Sequence, residues 1–308
     1  MPSLSKRAST VTEGSKGVSV LPKRERLAAV DLMGRSFAGT ADKESELTVH
    51  WMIGPQLQEH DHPHRLPMFT MVMGFPVNVI PGGVLLGSRD ENSGELSSVL
   101  LVRRQRTGRK GLLEKLMAGP RFASAMIWLI ANKKIPKVYM SKDPDDKVLA
   151  KQLDKGMNKR INHLTPILDS NHAKNVPSLH YYVSVMATDP PSQGKGHCSK
   201  LMRAVSKMAD AEGVPCYLEA SGEKKRAIYE HLGYRVVGQK VLQLDGEPEW
   251  KDDIYFMRRE PAECATTLLR SLAASTHDTS PQHNQTTCTS HRLSRQHAGN
   301  PHPQRRLP

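Results

Sequence analysis

The sequence predicts an α/β protein in which helices pack on a single sheet, and two observations carry that reading. In the second half, strand-like and helix-like runs alternate with short loops: "HYYVSVMAT" (180–188), "GKGHCSKLMRAVSKMADAEG" (194–213), "PCYLEAS" (215–221), "EKKRAIYEHLGY" (223–234), then strands at 235–244 and 253–260. In the first half, "GGVLLGSRD" (82–90) and "ELSSVLLVRR" (95–104) flank the turn former "DENSG", which reads as an antiparallel hairpin. A chain of 308 residues with 38% apolar content can bury a core and still carry polar extensions.

Taken in order, the first 21 residues are rich in Ser and Lys/Arg. That composition is shared with organelle transit peptides, but Glu13 and the glycines count against one, and a flexible arm is expected. From Pro22 to Phe37, Leu27, Val30, Met33 and Phe37 recur at helical spacing. Residues 54–67 are a loop dense in Pro and His. Residues 121–134 read as a helix and 141–176 as polar, partly helical chain. Gly213 and Gly233 stand where helices need left-handed caps. From Ala262 the composition turns to Ser, Thr, His, Gln and Pro, too polar to offset the entropy of ordering, so 262–308 is expected to be a disordered tail. One domain is thus expected at 22–261, between an arm at 1–21 and that tail.

A net charge of +13 suits an acidic partner: a phosphate-bearing cofactor, nucleic acid or an anionic surface. The longest apolar run, Ala123–Ala131, is far short of a bilayer span, so no membrane partner is expected. Cysteines at 198, 216, 264 and 288 form no CxxC pair, which indicates neither zinc nor a disulfide scaffold and places the chain by default in a reducing, intracellular and cytoplasmic setting, with organelle targeting left open. The tail histidines (277, 283, 291, 297, 302) are irregularly spaced, and no metal site is assigned to them. With 5% aromatic residues and no recognition motif, nucleic acid is set aside.

The informative stretch is "PPSQGKGHCSKLM" (190–202). It joins a strand to a helix whose apolar face is Leu201, Met202, Val205, Met208 and Ala209. Unpaired N–H groups at 193–198 therefore gather at the positive end of a helix dipole, which is a site for an anion. Gly194 and Gly196 let a phosphate approach the backbone, and Lys195, Lys200 and Arg203 add charge. The spacing fits neither a nucleoside-triphosphate loop nor a dinucleotide fingerprint.

Gln193-Gly194-Lys195-Gly196-His197-Cys198 resembles the [QR]-x-x-G-x-[GA] loop of the GCN5-related N-acetyltransferase superfamily, with cysteine in place of the final small residue. Tyr229-Glu230-His231-Leu232-Gly233-Tyr234 is similar to that family's Y-x-x-x-G-[FY] helix end, in the right order and separated by a predicted strand. Residues 180–240 look like the puromycin-acetyltransferase-like branch; 22–140 agree only in architecture. An asparagine usual shortly before the tyrosine is replaced by Glu223, Lys224 and Lys225.

The resemblance implies a single domain with a mixed, mostly antiparallel central sheet flanked by helices. It also implies acetyl-CoA as co-substrate, direct transfer of the acetyl group without an acyl-enzyme, and a small-molecule amine as acceptor; a protein or peptide acceptor and a non-catalytic basic binding protein are the alternatives. By motif position, Met186 and Thr188 supply backbone groups to the pantetheine arm, Gln193, Gly194, Lys195, Gly196, His197 and Cys198 hold the diphosphate, and Tyr229 protonates the leaving thiolate. On "CYLEAS", alternation puts Tyr217, Glu219 and Ser221 on one face, which makes Glu219 the candidate base at the strand's exit toward the cleft, with His180 behind it.

Overall fold

A computed structural model describes residues 3–41, 46–80, 82–106, 118–177 and 179–262. Cys264, Cys288, the tail histidines and residues 107–117 of the basic connector lie outside the described residues. Among the described residues, no helix is long and apolar enough to cross a membrane.

The described strands form a seven-stranded sheet: β1 (Val18–Val20), β2 (Val84–Arg89), β3 (Leu96–Arg106), β4 (Leu179–Thr188), β5 (Cys216–Ser221), β6 (Arg235–Gln243) and β7 (Lys251–Arg259), in the order β1-β2-β3-β4-β5-β7-β6. Every pairing is antiparallel except β4 with β5. The mixed, mostly antiparallel sheet expected from the sequence is therefore present. The β2–β3 hairpin turns as read: Asp90 Oδ1 accepts the N–H groups of Asn92 and Ser93, each at 3.0 Å, and Gly94 takes φ +70°.

The β4–β5 contact positions the site. The two strands pair only at Tyr181 with Cys216 and Tyr182 with Tyr217. Beyond that, β4 stays on β3 as far as Thr188 opposite Ser98, and β5 stays on β7 as far as Ser221 opposite Ile254, so the sheet divides into two halves. A register shift, with Leu101 opposite Val185 and Val102 opposite Val183, makes Ser184 an extra residue in β4 where the division begins.

On one face, α7 (His197–Glu212) lays its Leu201, Met202, Val205, Met208 and Ala209 stripe across both halves, against Leu86, Leu100 and Val183 on one side and Leu218, Ala220 and Met257 on the other. Helices α1 (Leu4–Glu13) and α8 (Gly222–His231) share that face. The opposite face is covered over β2–β4 by α2 (Arg26–Ala38), α4 (Arg65–Val79) and α5 (Ala118–Ala131). Over β5–β7 it is covered by α3 (Leu47–Ile53) and α6 (Pro144–Asn175). Trp51 on α3 and Trp250 before β7 clasp each other: each indole N–H donates to the other's carbonyl, at 3.1 and 3.0 Å.

The structure corrects several expectations. The segment read as a flexible arm contains α1 and β1: Ser3 caps α1 by accepting from Lys6 N at 3.3 Å, Ala8 is fully buried, and Arg7 pairs with Glu212 of α7. Its Leu4, Ala8 and Val11 stripe is helical but masked by Ser and Lys. Helix α4 begins inside the loop read at 54–67; it is apolar all round, so it shows no period. Residues 144–175 are one continuous helix, started by Asp143 accepting from Asp145 N at 2.8 Å, with Pro144 in its first turn.

Helices α2 and α4 meet at Gly34, where an added Cβ would lie 2.2 Å from Thr70 Oγ1 and 2.9 Å from Thr70 Cα. Gly34→Ala should lower stability by about 1–3 kcal/mol through overpacking. A thermal melt unchanged from wild type would show that the two helices do not pack this closely.

Candidate active site

The site grows from the end of β4. Asp189 N–H bonds back to Ser97 O at 2.9 Å, while Thr188 N–H turns the other way, to Ser36 Oγ of α2 at 3.2 Å. Arg35 grips Asp189 with both arms, Nε to Oδ1 at 2.9 Å and Nη2 to Oδ2 at 2.8 Å. The C-terminal turn of α2 thus fixes where β4 stops. A short helical turn, Pro190–Ser192, follows, and Gln193 folds its amide back to Thr188 O at 3.4 Å.

Gly194 and Gly196 both take φ +80°, a backbone region that favours glycine, and space is open within 4 Å of where a side chain would start on either. Helix α7 begins at His197 rather than at Gly194, and its first helical bond runs from Lys200 N to Gly196 O at 3.1 Å. The N–H groups of His197, Cys198 and Ser199 precede that bond and point out of the helix end. The His197 ring turns inward, Nδ1 lying 2.9 Å from Ser88 Oγ, so this residue offers the turn its backbone alone. Lys195 is exposed, and Lys200 pairs with Glu91 at 3.0 Å.

A cavity of about 370 Å³ opens at this turn. Among the residues lining it are Met186, Thr188, Gln193, Gly194, Gly196, His197, Cys198 and Tyr229. Residues singled out on three separate elements are thereby brought to one space. Burial, with the neighbouring Cys198 and Glu46 adding to it, pushes the Tyr229 phenol far up, so it is a neutral proton donor. Burial also pushes the Cys198 thiol up to about 11, which makes it a neutral wall residue rather than a nucleophile.

Glu219 lies elsewhere. Alternation put it correctly on one face of β5 with Tyr217, but that face is the one covered by α6, and Glu219 is not among the residues lining the cavity. Tyr182 donates to its Oε2 at 2.7 Å, and the Tyr217 hydroxyl also interacts with the carboxyl. Burial pushes its carboxyl up to about 7. His180 is further away still: it is buried at the opposite end of β4, with Nε2 2.7 Å from His172 Nε2, and burial lowers it to about 4.

The sequence reading missed Glu46. This residue caps α3, accepting from Val49 N at 2.6 Å and from the Ser221 hydroxyl, and it lines the cavity together with Tyr229, Lys224 and Lys225. Behind it Asp252 is buried, accepts from Thr48 Oγ1 at 2.8 Å, and is raised to about 7 by desolvation. No motif marks either acid; an acidic residue just ahead of the apolar run "LTVHWMI" was the available signal.

The raised carboxyls make stability depend on pH. Glu219 keeps its proton up to about pH 7 in the folded chain and releases it near pH 4.5 when unfolded. Its favourable neutral form contributes fully below the lower value and is lost as pH rises through the upper one. Glu219→Gln should therefore gain thermal stability relative to wild type as pH is raised from about 5 to about 8. A difference that stays flat with pH would show that Glu219 is not held neutral.

Parts of the chain are similar to known proteins. Residues 163–234, which span the end of α6, β4, the glycine turn, α7, β5 and α8, match the model of the acetyltransferase (GNAT) family. An uncharacterized N-acetyltransferase of Schizosaccharomyces pombe is 33% identical over 109 residues, which is 34% of this chain and 43% of the relative's length. The chain thus spans less than half of the curated relative it matches. Among solved structures, a histone acetyltransferase HPA2 and related acetyltransferase of Corynebacterium glutamicum is similar at 18% identity and TM-score 0.46, covering 81% of this chain and 98% of its own. Arylalkylamine N-acetyltransferase 2 of Aedes aegypti is similar at 12% identity and TM-score 0.43, covering 80% and 98%. The matched stretch, 163–234, is similar to the acetyltransferase (GNAT) family and contains both the glycine turn and Tyr229.

Proposed function

We propose that the protein transfers an acetyl group from acetyl-CoA directly to the primary amine of a small molecule, as in the puromycin-acetyltransferase-like branch that residues 180–240 resemble. The observation that carries this reading is one cavity lined both by the glycine turn at the start of α7 and by the Tyr229 side chain.

The residues present suit the co-substrate. Open space at Gly194 and Gly196 leaves room for a diphosphate against the backbone, and the N–H groups of His197, Cys198 and Ser199 meet it at the positive end of α7. Cys198 is neutral and small, so it adds no opposing charge. Past Tyr182, β4 has no β5 partner, which leaves the Met186 and Thr188 backbone facing the gap, although Ser36 already takes the Thr188 N–H. When bound, acetyl-CoA supplies the thioester carbonyl that the amine attacks.

The chain's own residues then hold and move protons. Tyr229, neutral and at the cavity wall beside Cys198, protonates the departing sulfur. Glu46 faces the cavity and orients the amine. Glu219, held near neutrality but lining no part of this cavity, is the proposed base, which the amine's proton reaches from the cavity through water.

Acetyl-CoA should raise the melting temperature of the full chain, because a ligand that binds only the folded form stabilises it. Tyr229→Phe should lower kcat about a hundredfold while leaving the KM for acetyl-CoA nearly unchanged. Turnover equal to wild type in that variant removes Tyr229 from the chemistry. Because the base must be deprotonated, kcat/KM should rise with pH through about 7 and flatten in Glu219→Gln. If Glu46→Gln flattens it instead, Glu46 is the base.

A further inference from the structure

A second cavity, of about 560 Å³, lies beside α2 and shares no lining residue with the first. Its wall combines an apolar part, including Leu66, Pro67 and Ile135, with four cationic side chains and one carboxylate. Two of the cations are occupied: Lys134 pairs with Asp31 at 2.5 Å, and Arg35 with Asp189 at 2.8 Å. The ammonium groups of Lys133 and Lys137 have no ion pair among the described residues.

Lys133 stands out for a second, independent reason. It has φ +55°, the one non-glycine residue among those described with positive φ. It forms the left-handed cap of α5, where Lys133 N bonds Ile130 O at 3.0 Å and Lys134 N bonds Leu129 O at 2.8 Å. Glycine adopts that conformation without strain and lysine does not. The local backbone therefore argues for glycine, and the side chain found there instead brings a free cation to the cavity wall.

We propose that this cavity binds a phosphorylated small molecule. Lys133 and Lys137 hold its dianion, and its organic part lies against Leu66, Pro67 and Ile135. Two unpaired ammonium groups suit a doubly charged phosphate better than a single carboxylate. The site stands independently of the acetyl-transfer reading, since none of its residues belongs to the first cavity.

The test is calorimetric titration of the full chain with phenyl phosphate at low salt. Wild type should bind, and Lys133→Gly and Lys137→Gln should each bind at least about tenfold more weakly. Lys195→Gln, altered at the glycine turn, should bind as wild type does. Lys133→Gly should melt no lower than wild type because it relieves the cap, so its weaker binding cannot be ascribed to misfolding. Absence of binding at millimolar phenyl phosphate overturns the proposal. So does a loss that follows Lys195 rather than Lys133 and Lys137, which would assign the anion to the glycine turn. Inorganic phosphate binding as tightly as phenyl phosphate would also overturn it, because the apolar wall would then play no part.

Discussion

The arrangement depends on how briefly β4 and β5 pair. Two parallel residue pairs join the halves of the sheet, and each strand then follows its outer neighbour instead. In an unbroken sheet the backbone of Met186 to Thr188 would be committed to a ladder on both sides. The extra residue at Ser184 sets the bend in β4, and the gap that results is where the glycine turn, Tyr229 and Glu46 converge.

A divided sheet loses stabilisation along the divide, and the structure replaces it from below. Helix α7 buries one apolar stripe against both halves, so the element whose N-terminus presents free N–H groups also holds the walls of the cleft together. From the other side, the Arg35 grip on Asp189 and the Ser36 bond to Thr188 fix the end of β4. Folding and the placement of the glycine turn therefore draw on the same contacts.

Much of this was legible in the sequence wherever the pattern is local. The stripe on α7, the glycine caps at 213 and 233 and the hairpin turn at Asp90 are set by neighbours within a few residues, and each lies where the sequence places it. The glycine turn and Tyr229 were singled out by resemblance to family motifs, and the structure puts the turn at the start of α7 and Tyr229 in the last turn of α8. What could not be read depends on distant partners. Alternation groups Tyr217 with Glu219 but does not say which face of the sheet α6 will cover. Glu46 reaches the cavity because Ser221, 175 residues away, and Val49 hold it there. Helix α4 is buried on nearly every side, so the contrast between apolar and polar faces that would reveal it is missing.

The paired indoles have a practical consequence. The chain contains three tryptophans, and two of them, Trp51 and Trp250, form the clasp that ties α3 to the approach to β7. The first residue of the α3 cap is Glu46, so movement of that carboxylate is transmitted to Trp51 within little more than one helical turn. Intrinsic fluorescence of the unlabelled protein is thereby weighted toward the acidic end of the cleft, giving it a built-in optical reporter of any ligand that displaces α3.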